Sequence, residues 1–314
     1  MQLRGGLRVL RRTSTEVQVG TDPRWAVRLT DLTPSEADLL PDLEAVDPSL
    51  TDLLTRAHLT QGDEVSIPSG PRAVDAQVWS LLRPHADGAD LVRGREQRVV
   101  AVLGLGPTGA GVAVGLATAG VGTILLDDGT PVRPVDVGPT GYRWTDVGAV
   151  RSSVAARMLR DVAPRVSTDS VRTPDVVVLV ESDVADPDRA PALVTVGTVH
   201  LSVVVREADT VVGPLVLPGD GPCLRCLDLH RTDADPLWPV LARQLRSSAP
   251  SDEPATTAVV ASGLATAAVL AHLDGAAGTA RGTTFEISAP DVVPRQRTWA
   301  VHPDCGCTAL PALA

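Results

Sequence analysis

The sequence predicts an α/β protein with a mainly parallel sheet, preceded by a small α+β domain of winged-helix-like type. From Arg98 onward, strand-like apolar runs alternate with helix-like segments, which is typical of a parallel sheet. A glycine-rich loop joins the first of these strands to the first of these helices. Before that point the pattern is irregular, with short alternating runs and capped helix starts. We therefore predict two domains, 1–92 and 93–314.

The amino-terminal domain is predicted to begin with short strands, because apolar residues alternate over Leu7–Leu10, Val17–Val19 and Trp25–Leu29. Thr33 then predicts a helix start, since Pro34 suits a first turn and Glu36 completes a capping box. The remaining predicted elements are a helix, a strand and a helix, over Leu50–Leu59, Glu64–Ile67 and Ala76–Leu82. Residues 83–97 are rich in charge and glycine and are predicted to be a linker.

Two interpretations of this first domain remain open. A winged helix accepts an extra strand or helix in the groove beside its wing, which would make the domain a peptide-binding module. Alternatively, these residues only cover the central sheet.

The second domain opens with a β-α-β unit formed by Val99–Leu103, Ala110–Ala119 and Thr123–Leu126. Such a unit has parallel strands and a right-handed connection. A long alanine-rich helix is predicted at Thr257–Leu273. Further strands are predicted at Asp175–Val180, Ala192–Val199, Leu201–Val205, Val211–Leu217, Thr283–Ser288 and Arg297–Val301.

The loop after the first strand carries Gly104, Gly106 and Gly109, the spacing of a nucleotide-binding fingerprint. These glycines allow a tight turn and a close approach of the backbone to a phosphate. Asp127 and Asp128 end the second strand, about 20 residues further on, where an acid binds ribose hydroxyls. On these residues alone, a nicotinamide dehydrogenase is an alternative.

The four cysteines form two short pairs, Cys223-x-x-Cys226 and Cys305-Gly-Cys307. Two tight thiol pairs predict a structural zinc site, with a disulfide or unconnected core thiols as the alternatives. His230 and His302 flank the pairs and offer a replacement for a thiol. If all four cysteines bind zinc, none remains to form a thioester.

Composition excludes several classes of function. The formal net charge of −10 argues against nucleic-acid binding as the main task, because that requires a basic surface. The chain has no lysine, so a Walker-type lysine is excluded. We find neither a signal peptide nor an uninterrupted membrane span, and therefore expect a cytoplasmic protein without membrane association.

The stretch Gly104–Asp128, the Cys223-x-x-Cys226 pair and the long helix ending in Asp274-Gly275 together resemble the ThiF/MoeB/HesA family of ubiquitin-activating-like adenylyltransferases. The resemblance implies a Rossmann-like ThiF fold that uses ATP and magnesium and is usually a homodimer. It also implies that Arg151 contacts ATP and that Asp183 is linked to the metal. Residues Arg231–Glu253 resemble the family's mobile crossover loop, with a surface loop of no role as the alternative.

Three residues depart from the family pattern. Pro107 follows Gly106 and has no amide hydrogen for a phosphate. In an ungapped comparison, Asp136 replaces the family's asparagine and Pro139 replaces its phosphate-facing arginine. Adenylation depends on cations and amide donors around the triphosphate, so these changes weigh against catalysis.

The amino-terminal module and the His302-Pro-x-Cys-Gly-Cys end together resemble one branch of the family. Its members are leader-peptide-binding partners of azoline-forming cyclodehydratases, in which a separate YcaO enzyme uses the ATP. The sequence therefore leaves two functions open. One is a scaffold that binds a peptide or small carrier protein; the other is an adenylyltransferase that activates the C-terminal carboxylate of a ubiquitin-like sulfur carrier.

Overall fold

The computed structural model describes residues 1–40, 42–43, 46–62, 69–83, 88–276, 278 and 280–308. The chain divides into two compact units, Met1–Gly94 and Arg95–Ala314. The division lies beside the predicted domain boundary at 92 and 93.

The first unit has an α+β composition. Its strands are β1 (Gln2–Leu3), β2 (Val9–Arg11), β3 (Val17–Val19), β4 (Val27–Leu29) and β5 (Thr60–Gln61). β2, β3 and β4 form an antiparallel three-stranded sheet, whereas β1 pairs with β5. The core beneath the larger sheet is aliphatic, and its most buried members include Val19, Leu40 and Leu54.

The helices of the first unit are α1 (Pro34–Leu39), α2 (Pro48–Arg56), α3 (Pro71–Leu82) and α4 (Gly88–Gly94). The capping box predicted for α1 is confirmed. The hydroxyl of Thr33 accepts from the amide of Glu36 at 3.2 Å, and the Glu36 carboxylate accepts from the amide of Thr33 at 2.7 Å. The predicted strand Glu64–Ile67 lies outside the described residues.

The predicted linker over residues 83–97 is wrong for the part that the structure describes. Residues 88–94 form α4, and a 3₁₀ turn follows at Arg95–Gln97. Ala89 and Val92 are buried in a small cluster, and a Cβ on Gly88 would lie 2.1 Å from the carbonyl oxygen of Ala76. Gly88 is therefore needed for close packing, whereas in the sequence it was interpreted as part of a loop.

The second unit is built on a seven-stranded sheet in the order β12-β11-β10-β9-β8-β6-β7. The four strands β7, β6, β8 and β9 are mutually parallel, and the remaining pairs are antiparallel. The predicted mainly parallel sheet is thus confirmed. The strands are β6 (Val99–Leu103), β7 (Thr123–Asp127), β8 (Val176–Ser182), β9 (Val199–Val205), β10 (Asp209–Val216), β11 (Thr283–Ser288) and β12 (Pro294–Thr298).

Helices cover this sheet and enclose an aliphatic core. They are α5 (Pro107–Thr118), α6 (Arg151–Val162), α7 (Arg189–Thr195), α8 (Leu224–Ala234), α9 (Trp238–Ser247) and α10 (Ala255–Leu273). α10 is long and apolar enough to cross a membrane by length and composition. Its side chains Ala261, Ala265 and Val269 are fully buried in the main core, so we interpret it as a core helix.

Two predicted elements need correction. Half of the predicted strand Ala192–Val199 lies in helix α7, which ends at Thr195 and is followed by Gly197 with a φ of +75°. The amide of Thr198 donates to the carbonyl of Leu193, so a glycine cap ends the helix despite its β-branched residues. The predicted crossover loop Arg231–Glu253 is largely helical as well, because it contains the end of α8 and all of α9.

Candidate functional site

The glycine loop connects β6 to α5, and its glycines have different roles. Gly104 has a φ of +86°, and a Cβ there would lie 2.1 Å from the carbonyl oxygen of Val180. A Cβ on Gly109 would lie 2.0 Å from the carbonyl oxygen of Gly104. Gly106 has nothing within 4 Å of its Cβ position and lines a cavity. The fold therefore requires Gly104 and Gly109, whereas Gly106 leaves room for another molecule.

This cavity, of about 290 Å³, lies at the carboxyl ends of β6 and β8. In open α/β sheets, ligands bind in this position. Carboxylates and two arginines dominate its polar lining. The lining residues are Gly104, Gly106, Pro107, Asp128, Thr130, Pro131, Arg133, Arg151, Val180, Glu181, Ser182, Val205, Pro250, Ser251 and Glu253.

Asp128 and Asp127, both predicted to bind ribose, are placed differently. The Asp128 carboxylate lines the cavity and accepts from the amides of Leu105 at 2.8 Å and Thr130 at 2.9 Å. Burial opposes its ionisation, but hydrogen bonds from Thr130 and Leu105 outweigh burial, so the pKa of Asp128 is lowered. Asp127 is exposed and does not line the cavity.

Arg151 is the first residue of α6 and projects into the same region. Its guanidinium donates to the Asp136 carboxylate at 2.5 and 3.0 Å and to Asp128 at 3.2 Å. Burial lowers the pKa of Arg151, but the bonds to Asp136 more than compensate, and the pKa is raised. Asp136 has a side chain only 1% exposed. Asp136 therefore pairs with Arg151, the cation predicted to contact ATP.

Asp183 follows β8 and has a φ of +67°, which is uncommon outside glycine. Its carboxylate accepts a hydrogen bond from the hydroxyl of Ser251 at 2.6 Å. The neighbouring Glu181 lines the cavity, and its Oε2 is buried without a hydrogen-bond partner. Burial raises the pKa of Glu181.

The residues Ser251-Asp252-Glu253, which we call the acidic strap, end the segment that resembles the family's crossover loop. Their contacts beside the cavity were not predicted from the sequence. Each strap residue bonds to a residue that lines the cavity or adjoins one that does. Ser251 bonds to Asp183, and Asp252 forms an ion pair with Arg133 at 2.9 Å. Glu253 accepts from the Thr108 amide at 3.1 Å and from the Thr108 hydroxyl at 2.6 Å. The strap thus ties the segment after α9 to the glycine loop.

Glu253 occupies the position at the start of α5 that favours an anion. Thr108 lies in the first turn of this helix, where free amides and the helix dipole attract negative charge. The Glu253 carboxylate also accepts from the hydroxyl of Thr210 at 2.8 Å. Burial raises the pKa of Glu253, although the bonds from Thr108 and Thr210 oppose this effect.

A second feature of this unit is the cluster of all four cysteines, which are buried and free of disulfides. Three Sγ–Sγ distances are 3.9 Å (Cys223–Cys226), 3.6 Å (Cys223–Cys305) and 3.6 Å (Cys226–Cys307). A tetrahedral zinc ion with Zn–S bonds of about 2.3 Å requires sulfurs roughly 3.8 Å apart. The cluster therefore has the spacing of a four-thiolate metal site.

The thiols of the cluster differ in acidity. Burial opposes the ionisation of Cys226, but backbone hydrogen bonds from His302 and Cys223 outweigh burial and lower the pKa of Cys226. Burial raises the pKa of Cys223 and raises that of Cys307 to about 11, because a thiolate in an apolar cluster lacks solvation. A divalent cation would supply the charge that stabilises thiolates. Neither His230 nor His302 belongs to this group, since the four sulfurs form a set of their own.

Comparison with known proteins agrees with this architecture. The profile of the ThiF family matches residues 85–189. No curated protein matches the chain.

Solved structures resemble the chain over nearly its whole length. Escherichia coli MccB with ATP is 17% identical, with a TM-score of 0.72 and coverage of 98% of both chains. E. coli MccB with MccA is also 17% identical, with a TM-score of 0.73 and coverage of 98% of this chain and 99% of that one. PaaA is 17% identical, with a TM-score of 0.71 and coverage of 94% and 98%. At these identities the likeness establishes the fold.

Proposed function

We propose that this protein binds a peptide or small-protein partner as a scaffold in peptide or protein modification, and that it does not itself transfer adenylyl groups. The observation that carries this proposal is the acidic strap, residues 251–253, across the candidate nucleotide cavity. MccB, which shares the fold, has been solved with ATP and with MccA. The proposal therefore includes the binding of a peptide or protein partner and excludes adenylyl transfer.

The strap and its neighbours occupy the donors that a triphosphate would need. The amide of Leu105 donates to Asp128, and the amide of Thr108 donates to Glu253. Pro107, between them, has no amide hydrogen to donate. A phosphate that entered here would have to displace carboxylates from both amides.

The charge of the cavity also opposes a polyanion. Its two lining cations are Arg133 and Arg151, and both are already paired with carboxylates. Three carboxylates, those of Asp128, Glu181 and Glu253, line the same space. Catalysis of adenylyl transfer depends on stabilising negative charge, which this arrangement does not favour.

The partner would bind through the amino-terminal unit. A cavity of about 370 Å³ in this unit is lined by Arg24, Trp25, Ala57, His58, Leu59, Leu81 and Leu82. Aromatic and aliphatic pockets of this size bind the anchoring side chains of peptides. Leu82→Ser should therefore weaken partner binding. Val74→Ser is the matched control, because Val74 is an exposed apolar residue of α3 outside the cavity.

The second candidate function is an ATP-dependent adenylyltransferase that acts on the C-terminal carboxylate of a ubiquitin-like carrier. The observation in its favour is that Gly106, Asp128 and Arg151 line one cavity, with Asp183 bonded to a lining residue. In that case magnesium would accompany ATP, and the strap would be displaced when ATP binds.

Pyrophosphate exchange separates the two functions. The protein is incubated with ATP, magnesium and labelled pyrophosphate, alone and with each peptide or carrier encoded beside its gene. A known adenylyltransferase serves as the positive control. We expect no exchange above background, while labelled partner still binds with measurable affinity. Exchange that requires a partner would overturn the scaffold proposal.

The proposal has two further parts. Zinc, held by the four cysteines, would be structural, and free thiols would be maintained by a cytoplasmic location. A separate enzyme, such as a YcaO protein, would use the ATP, and the protein itself would be a homodimer. Co-purification with the YcaO protein encoded nearby would test the first partner, and light scattering would test the second.

A further inference from the structure

A second group of metal-binding side chains lies beside the four cysteines. His230 and Asp233 are one turn apart on α8, and His302 belongs to the segment after β12. One ligand atom from each residue lies within 4.8 Å of those of the other two. His302 is almost fully buried, whereas the Asp233 side chain is 69% exposed. His302 is therefore held in place within the protein, whereas Asp233 is open to solvent.

Hydrogen bonds define which imidazole nitrogens are available. His302 Nδ1 accepts from the amide of Asp304 at 3.1 Å, so its Nε2 carries the hydrogen and donates to Asp233 at 2.9 Å. His230 Nε2 lies 3.0 Å from the carbonyl oxygen of Ala300 and must be the donor there. Consequently His230 Nδ1 keeps a lone pair that none of these contacts uses.

We propose that His230, Asp233 and His302 bind a second divalent transition-metal ion, such as Zn²⁺ or Co²⁺, separate from the ion of the cysteine cluster. For His302 to bind the metal through Nε2, the ring takes its other neutral tautomer, in which the proton sits on Nδ1 and the hydrogen bond from the amide of the exposed Asp304 is given up to water. The Asp233 carboxylate then turns from accepting the Nε2 hydrogen to coordinating the metal. Metal–ligand bonds of about 2.0–2.2 Å place ligand atoms roughly 3.3 Å apart. The ligand atoms must therefore shift from their present positions. The exposed Asp233 side chain can make this movement while His302 stays in place.

The chemistry of the ligands distinguishes this site from the thiolate site. Two imidazoles and one carboxylate suit borderline ions such as zinc, cobalt and nickel, and they leave coordination positions open. Four thiolates form a closed site and hold zinc more strongly. The two sites are adjacent along α8, because Cys226 precedes His230 by one turn. The second ion would therefore bind more weakly and exchange more readily.

Metal titration of the full chain tests the proposal. Protein purified with zinc is dialysed to remove loosely bound ions and then titrated with Co²⁺ in a calorimeter. We expect one further equivalent to bind, with paramagnetic broadening of imidazole signals in the NMR spectrum. Asp233→Asn and His230→Gln should each weaken this equivalent by at least about tenfold, since a lost outer-sphere partner alone costs that much.

Asp235→Asn is the matched control, because Asp235 is an exposed acid at the end of α8 outside the group. It should bind the added ion like the wild type. His302 is left unchanged, since its side chain is buried and repacking around a substitute would shift the backbone amide that bonds to Cys226. Failure of the wild type to bind added Co²⁺, or unchanged binding in both Asp233→Asn and His230→Gln, would overturn the proposal.

Discussion

Glu253 caps the first turn of α5 through Thr108, from which its carboxylate accepts two hydrogen bonds. The two residues are 145 positions apart in the chain. A carboxylate thus occupies the location where this fold presents amides to a phosphate. Nucleotide binding at this cavity must therefore compete with a group of the protein itself.

Removing that carboxylate should raise the affinity for nucleotide. Glu253→Ala frees the amide and hydroxyl of Thr108 and removes one negative charge from the cavity. We expect ATP with magnesium to bind at least about tenfold more tightly, which corresponds to roughly 1.4 kcal/mol. Calorimetric titration measures this change. Glu207→Ala, at an exposed acid outside the cavity, should leave the affinity unchanged. Equal affinities in all three proteins would show that Glu253 does not restrict the cavity.

The raised pKa of Glu253 predicts a pH-dependent stability difference. Because burial favours the protonated form, the folded chain binds this proton more tightly than the unfolded chain does. The stability that protonation contributes is present below the unfolded pKa of about 4.3 and is lost as pH rises through the folded pKa.

The neutral variant Glu253→Gln removes this dependence. Its melting temperature relative to the wild type should therefore be higher at pH 7.5 than at pH 5, by about 2 °C or more. Glu181, whose pKa is also raised, is present in both proteins, so the difference isolates Glu253. A difference that stays constant with pH would contradict the assignment.

The glycines of the nucleotide loop should tolerate substitution unequally. In Gly109→Ala the new methyl group meets the backbone of Gly104, which cannot move away cheaply. We expect a loss of more than about 1 kcal/mol in the free energy of unfolding, as overpacking produces. Gly106→Ala meets nothing within 4 Å and should remain within about 0.5 kcal/mol of the wild type. Urea denaturation tests both, and equal losses would be inconsistent with the two roles.

Local patterns predicted much of this structure, and long-range contacts account for what they missed. β6 has the predicted bounds because Val99–Leu103 is a continuous apolar run before a glycine loop. The cysteines were predicted to cluster because their spacing identifies a chemistry. Glu253 was missed because its partner Thr108 is remote, and no local pattern marks a carboxylate that caps a distant helix. α7 was mistaken for a strand because its β-branched residues outweighed the glycine that ends it.

The buried ion pair between Arg95 and Asp274 should contribute strongly to the stability of the second unit. The two side chains are 2% and 1% exposed, and the guanidinium donates to both carboxylate oxygens at 2.9 and 2.6 Å. Asp274→Ala removes the carboxylate that accepts both of these bonds and should cost about 3–5 kcal/mol, measured by urea denaturation. The double variant Arg95→Met/Asp274→Leu should recover much of that loss. A single variant with near wild-type stability would show that this ion pair contributes little to the stability of the unit.

Removal of metal should destabilise the chain if the cysteine cluster holds structural zinc. The cluster joins the start of α8 to the segment that carries Cys305 and Cys307. In sites of this kind the metal-binding free energy is folding free energy, because the unfolded chain has no preformed site. We expect one tightly bound zinc per chain by elemental analysis. A strong chelator should lower the free energy of unfolding by at least about 2 kcal/mol, and added zinc should restore it.

Cys226→Ser should have the lowered free energy of unfolding without any chelator and should not respond to zinc. A chain that contains no zinc and melts at the same temperature with and without chelator would show that these thiols are only packed together.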